Sequence, residues 1–243
     1  MSLHTETITY TAGGKTLQSF LVFDDVQSGK RPGVVVFSEW WGLNDYIRRR
    51  AGELAGLGYV ALAADVYGDG KTAADATEAG ALMNGLFADL PATTERIRAA
   101  VSTLAARPEV DPKRLGAMGY CLGGALALHA ARIGLDLRGV ASFHGSLDRT
   151  HPAKKGDVKA KVLVCHAGDD QFVQPAQVEA FRKEMQELGV DLEFHAWPGT
   201  QHAFTNPQAT ENGKRYGLPL AYDPKADRES WDRMKAFWSR VFA

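Results

Sequence analysis

Gly119-Tyr120-Cys121-Leu122-Gly123-Gly124 is the stretch on which the reading of this chain turns. It follows an apolar run, Leu115 to Met118, and opens a small-residue helical stretch, Ala125 to Ala131. Strand, sharp turn and helix around a Gly-x-nucleophile-x-Gly pattern make a nucleophile elbow, here with cysteine where serine is the usual residue. The turn strains the backbone of the central residue, so the positions two before and two after it must be small, and Gly119 and Gly123 occupy them. Cys165 supplies the contrast. It ends the run Lys161-Val162-Leu163-Val164 with no elbow glycines around it, and reads as buried strand filler.

Working outward, the same order of apolar run and then helical spacing recurs. Val34 to Phe37 is continuous in the way of a strand buried on both faces, and Asp45 to Leu57 follows with Asn44 as a cap. Tyr59 to Ala64 precedes a helical region reaching Ala106 and interrupted near Pro91. Val140 to Phe143 and Val162 to Cys165 are further strands, Pro175 to Leu188 a helix, Leu192 to Trp197 a strand, and Asp227 to Phe242 an amphipathic closing helix. Glu6 to Tyr10 and Thr16 to Phe23, joined through Gly13-Gly14, form a hairpin. The pattern predicts an α/β fold with a mostly parallel central sheet, helices on both faces and an antiparallel N-terminal edge. With 243 residues and no linker composition, the expectation is one domain over 1–243.

Composition excludes several function classes. The net charge is −1 with both signs interspersed, so there is neither the basic stripe of a nucleic-acid binder nor a polybasic membrane anchor. Two cysteines, one needed as a free thiol, argue against a disulfide framework and suit a reducing, cytoplasmic setting. The first residues lack a basic start and an apolar h-region, and no stretch approaches the ~18 apolar residues of a membrane span, so a soluble, unexported protein is expected. No metal-ligand spacing is present, and neither metal nor cofactor is expected. Gly68-Asp69-Gly70-Lys71-Thr72 imitates the end of a phosphate-binding loop, but Asp65 stands where that motif needs glycine.

Ligands of such sheets collect at the carboxyl ends of the strands. The polar residues that fall there are Glu39, Asp65, Cys121, His144, the pair Asp169 and Asp170, and His202 in the loop after the last strand. Nucleophile, then acid, then histidine is the chain order of α/β-hydrolases. Either aspartate can orient the histidine, with Asp170 preferred. His202, in a glycine-containing loop after Trp197-Pro198, is the best base. His195 and His129 fall inside a strand and a helix, and His4 and His151 in terminal or loop positions, where structural or solvated roles are expected. His144 and His166 end strands and read as pocket-wall residues.

Glu39-Trp40-Trp41-Gly42, the elbow, Gly168-Asp169-Asp170-Gln171-Phe172-Val173 and His202-Ala203-Phe204 together resemble the dienelactone hydrolase family of α/β-hydrolases, over nearly the whole chain. The resemblance implies a triad of Cys121, His202 and Asp170. It also implies that Glu39 contacts the resting thiol and, displaced by substrate, helps remove its proton, which protects the sulfur from oxidation between turnovers. The oxyanion would be held by the backbone N–H of Leu122 and, by the same resemblance, that of Trp40. One departure bears on substrate. Members acting on dienelactone hold its carboxylate with two arginines, one in the segment after the second parallel strand and one four residues after the histidine; here residues 66–90 contain only Lys71 as a cation, and Asn206 stands at the second position. Trp40, Trp41, Phe172 and Phe204, with His144, suggest instead an aromatic and largely apolar pocket. The expected activity is hydrolysis of a small-molecule ester or lactone through a thioester, with phosphotriester hydrolysis in the same site as an alternative. Thiol redox chemistry and a non-catalytic binding role are the rivals from other classes.

Overall fold

A computed structural model describes residues 2–243. Among them are eight strands: β1 (Leu3–Ala12), β2 (Lys15–Asp24), β3 (Arg31–Phe37), β4 (Val60–Ala64), β5 (Val110–Tyr120), β6 (Gly139–Phe143), β7 (Lys161–Ala167) and β8 (Leu192–Trp197). They form one mixed, mostly parallel sheet in the order β1-β2-β4-β3-β5-β6-β7-β8. Seven helices accompany them: α1 (Asp45–Gly56), α2 (Ala76–Ala88), α3 (Leu90–Ala105), α4 (Leu122–Arg132), α5 (Pro175–Leu188), α6 (Ala209–Tyr216) and α7 (Pro224–Val241). None is long and apolar enough to cross a membrane among the described residues. Packing gathers the chain into two compact units, residues up to 118 and 119–243.

In the first unit the β1–β2 hairpin pairs fully from Leu3↔Asp24 to Ala12↔Lys15. Gly13 and Gly14 both take positive φ, 53° and 68°, which the primed two-residue turn of a right-twisted hairpin demands. β2 runs antiparallel to β4, and β3 parallel to β4 from Gly33↔Val60 to Phe37↔Ala64. β4 is buried at every residue, as expected of an uninterrupted apolar run. Asn44 caps α1 by accepting the Ile47 N–H. The interruption expected near Pro91 divides this region into two helices: Asp89 ends α2 while its side chain caps α3 by accepting the Ala92 N–H, with Pro91 in the first turn.

In the second unit β6, β7 and β8 pair in parallel. α4 packs on β6, and α7 on β6 and β7. α7 anchors this layer with Phe237 and Trp238, both buried, and truncating such an aromatic costs about 3–5 kcal/mol. It starts three residues earlier than its apolar spacing indicates, since Asp223 caps it and Pro224 opens it. α6 carries no long apolar face; it is a short polar helix stopped by Gly217 in the left-handed region, and the sequence pattern gave no sign of it.

Candidate active site

The elbow is built as its glycines require. β5 ends at Tyr120, α4 begins at Leu122, and Cys121 between them sits at φ 54°, ψ −118°. A non-glycine residue in that region costs roughly 1–3 kcal/mol and persists only where its surroundings hold it. Gly119 is obligatory for a steric reason, because a Cβ there would lie 2.1 Å from the carbonyl oxygen of Gly123 and 2.2 Å from its carbon. The Cys121 N–H donates to the Phe143 carbonyl at 3.0 Å and to His144 Nδ1 at 3.2 Å. Leu122, first residue of α4, contributes one of the first-turn amides that has no carbonyl to reach within its own helix. Cys121 is a free, part-exposed thiol. Cys165 is fully buried, and burial pushes its thiol well above the ordinary range.

Two carboxylates follow β7, and geometry separates them. Asp170 is buried; its Oδ1 accepts the Phe172 N–H at 2.9 Å and its Oδ2 lies 2.8 Å from His202 Nδ1. A carboxylate only accepts, so Nδ1 carries the proton of that bond and Nε2 is left for a second partner. Asp169 is exposed and accepts from the Gly199 N–H, so it fastens the loop after β8. His202 is 6% exposed. Its loop is held by the Ala221 N–H on the His202 carbonyl and the Asp223 N–H on the Phe204 carbonyl. Burial alone would lower the His202 pKa; the charge of Cys121, hydrogen bonds to Asp170 and to Cys121, and the Asp170 charge outweigh it and push the value up to about 10.

The aromatic residues around the histidine divide. Phe172 is 48% exposed, with its ring 5.0 Å from that of His202. Phe204 is fully buried and packs against His144 and Trp197, so it fills the core where a pocket wall was expected. His144, also expected at a pocket wall, is fully buried with both ring nitrogens engaged: Nδ1 by the Cys121 N–H and Nε2 by Thr205 Oγ1 at 2.7 Å. Nothing in the sequence pattern pointed to Thr205. His166 is buried as well, and burial holds its pKa down.

In the first unit Glu39 is buried just beyond β3, and Trp40 and Trp41 follow with rings in edge contact at 5.1 Å. The Trp40 carbonyl accepts from Tyr67 Oη at 2.9 Å, and the Trp41 carbonyl from the Ala73 N–H at 3.0 Å. Asp65 is a loop organiser: its carboxylate accepts the N–H groups of Gln18, Tyr67, Gly68 and Gly70. Lys71 is paired to Glu78 at 3.0 Å. In the second unit, Asn206 is buried, with its side-chain oxygen accepting the Gln208 N–H at 2.9 Å at the entry to α6. Among the described residues no group of three or more His, Cys, Asp or Glu side chains is placed to hold a metal ion.

A mixed, mostly parallel eight-stranded sheet with accompanying helices, carrying Cys121 after β5, Asp170 after β7 and His202 after β8, has the architecture of an α/β-hydrolase. Residues 18–242 match the model of the dienelactone hydrolase family, and the chain belongs to that family. The solved protein m3DLH is 41% identical and superposes with a TM-score of 0.93, covering 99% of each chain. A dienelactone hydrolase-like promiscuous phosphotriesterase from metagenomic libraries is 37% identical, with a TM-score of 0.92 and full coverage of both chains. Protein usf of Aquifex pyrophilus is 29% identical over 85% of this chain and 87% of its own.

Proposed function

We propose that this hydrolase cleaves neutral carboxylic esters or lactones through a Cys121 thioester. His202 Nε2 takes the thiol proton and the sulfur attacks the acyl carbon. The tetrahedral oxyanion is met by the N–H of Leu122 and, in the same proposal, by that of Trp40. Collapse expels the alkoxide, which takes the proton from His202 and leaves an acyl thioester. Water then repeats the sequence, giving its proton to His202 and hydroxide to the acyl carbon, and the carboxylic acid departs from the regenerated thiol. Asp170 holds His202 in the tautomer that presents Nε2 and stabilises the imidazolium. Glu39 is assigned the second carboxylate role, assisting thiol deprotonation when substrate arrives. The observation that carries the proposal is His202, held 2.8 Å from Asp170 beside the strained elbow; once the thiol proton has moved to it, the charge left on Cys121 and the Asp170 carboxylate stabilise the imidazolium.

Neutral substrates are favoured because residues 66–90 contain no arginine and an asparagine, not an arginine, stands at position 206. Phosphotriesters are the second reading. It is supported by the 37% identical neighbour described as a promiscuous phosphotriesterase, and by the chemistry of a thiolate with oxyanion donors. The test is intact mass after brief mixing with 4-nitrophenyl acetate, in parallel on the unmodified protein and Cys121→Ala, with nitrophenol release followed in the same tubes. An adduct of one acetyl group on the unmodified protein only, with release lost in the variant, is the expected result. Turnover that survives Cys121→Ala unchanged refutes the mechanism, and for 4-nitrophenyl diethyl phosphate the same outcome refutes the second reading.

A further inference from the structure

The imidazole of His144 touches both halves of the proposed machinery. Its Nδ1 accepts the N–H of Cys121 at 3.2 Å, and its Nε2 lies 2.7 Å from Oγ1 of Thr205, three residues beyond His202 on the same loop. An imidazole nitrogen that accepts from an amide carries no proton, so the ring proton is on Nε2 and is donated to the threonine oxygen. His144 is itself at φ 39°, and its own N–H donates to the Cys165 carbonyl at 2.8 Å. One residue therefore fastens the ends of β5, β6 and β7 and the loop after β8. The ring is fully buried, 5.2 Å from that of His202 and 5.3 Å from that of Phe204, which leaves it no latitude to swing.

We propose that His144 is the positioning residue that sets the separation of nucleophile and base, acting as a neutral strut between the Cys121 amide and the Thr205 hydroxyl. The Cys121 conformation is one that its surroundings must hold in place: its carbonyl accepts the Gly124 and Ala125 N–H groups, and its own N–H is held by two acceptors, Phe143 O and His144 Nδ1. Removing the second acceptor frees the amide to tilt toward the carbonyl alone, and takes away one of the holds on Thr205 in the loop that carries His202. Catalysis suffers where ground-state binding does not, because misplacing nucleophile and base by a fraction of an ångström acts on the reacting geometry.

This inference rests on the reading of Cys121 and His202 as nucleophile and base, and the test separates the two. First, long-range 15N–1H spectra of the unmodified protein at pH 7 give the tautomer of His144. The expected pattern is Nε2–H with bare Nδ1, and a protonated Nδ1 overturns the proposal whatever the enzyme hydrolyses. Second, steady-state hydrolysis of 4-nitrophenyl acetate is compared across His144→Phe, His144→Asn and Thr205→Val, each with its thermal midpoint. Loss of one such hydrogen bond should lower kcat about tenfold in His144→Phe at unchanged KM. His144→Asn places its carboxamide oxygen near the position of Nδ1 and should restore most of that loss. Thr205→Val should show a smaller fall in kcat of the same kind. Should His144→Asn be as impaired as His144→Phe at equal thermal midpoints, or should Thr205→Val leave kcat unchanged, the strut is refuted. If His144→Phe does not fold, the tautomer and the other two variants decide. Turnover surviving Cys121→Ala would sink the functional reading instead, while the tautomer still judges the strut.

Discussion

Asp170→Asn is the sharpest test of the proposed relay, because the structure dictates what the new side chain must do. Asp170 Oδ1 accepts the Phe172 N–H at 2.9 Å, so a carboxamide keeps its oxygen there and turns its NH2 toward His202 Nδ1. Nδ1 then has to accept, and the ring proton moves to Nε2, the nitrogen that should receive the thiol proton. The alternative rotamer sets two N–H donors against each other at Phe172. Losing a hydrogen bond to a charged partner is worth about 1.5–3 kcal/mol, or about 10- to 150-fold. Inverting the tautomer adds to this, and in the Ser-His-Asp template the same exchange lowers kcat about 10⁴-fold. The expectation is a fall in kcat of about 10³-fold or more, measured as nitrophenol release from 4-nitrophenyl acetate at pH 8 in well-folded protein. Asp169→Asn, which disturbs only a loop hydrogen bond, should stay near the unmodified rate. The reasoning fails if Asp170→Asn remains within tenfold of the unmodified enzyme, or if Asp169→Asn loses as much at an unchanged thermal midpoint.

Gly119→Ala should be the most damaging conservative change in the chain, because its Cβ would meet the Gly123 backbone at 2.1 Å; a loss of about 3 kcal/mol or failure to fold is expected, read by thermal denaturation. In Cys121→Ala the largest raising influence on His202 is removed, so an NMR titration of that ring should give a pKa below the value of about 10 in the unmodified protein; an unmoved value would refute the coupling. Because the folded-state pKa of His202 is raised, the associated stability is fully present below the unfolded histidine value of about 6.5 and is lost as pH rises through about 10, so the thermal midpoint should decline over that window. Over the same range hydrolysis of an alkyl ester, whose leaving alkoxide needs the imidazolium proton, should fall more steeply than that of a nitrophenyl ester, and parallel profiles would argue against His202 as the proton donor. Prolonged treatment with EDTA should leave activity unchanged, checked by nitrophenol release.

The elements were legible in the sequence wherever a local pattern carried the decision. The elbow glycines, the buried runs of β3, β4, β6 and β7, and the Asn44 cap are all local rules, and the structure obeys them. The preference for Asp170 over Asp169 rested on register alone, and the hydrogen bonds to His202 and Gly199 now give it a geometry. What could not be read was settled by distant contacts. His144 and Phe204 stand at positions where a polar or aromatic residue points to a pocket, yet both are buried by partners that lie far away in the chain, His144 by Thr205 at a separation of 61 residues. The break between α2 and α3 was legible at Pro91; what the pattern did not show is that Asp89 serves both helices as a cap. α6 escaped because its stop signal, Gly217, is visible only once a helix is already suspected.

The two cysteine thiols of the chain live in such different surroundings that they make a built-in pair of reporters. Cys121 is part-exposed and should react with a neutral reagent such as iodoacetamide in the native protein, whereas Cys165, buried inside β7 and held as the thiol, should not. One equivalent of label taken up without denaturant therefore counts competent sites in any preparation, and the second equivalent, appearing only as the chain opens, times its unfolding without any added probe.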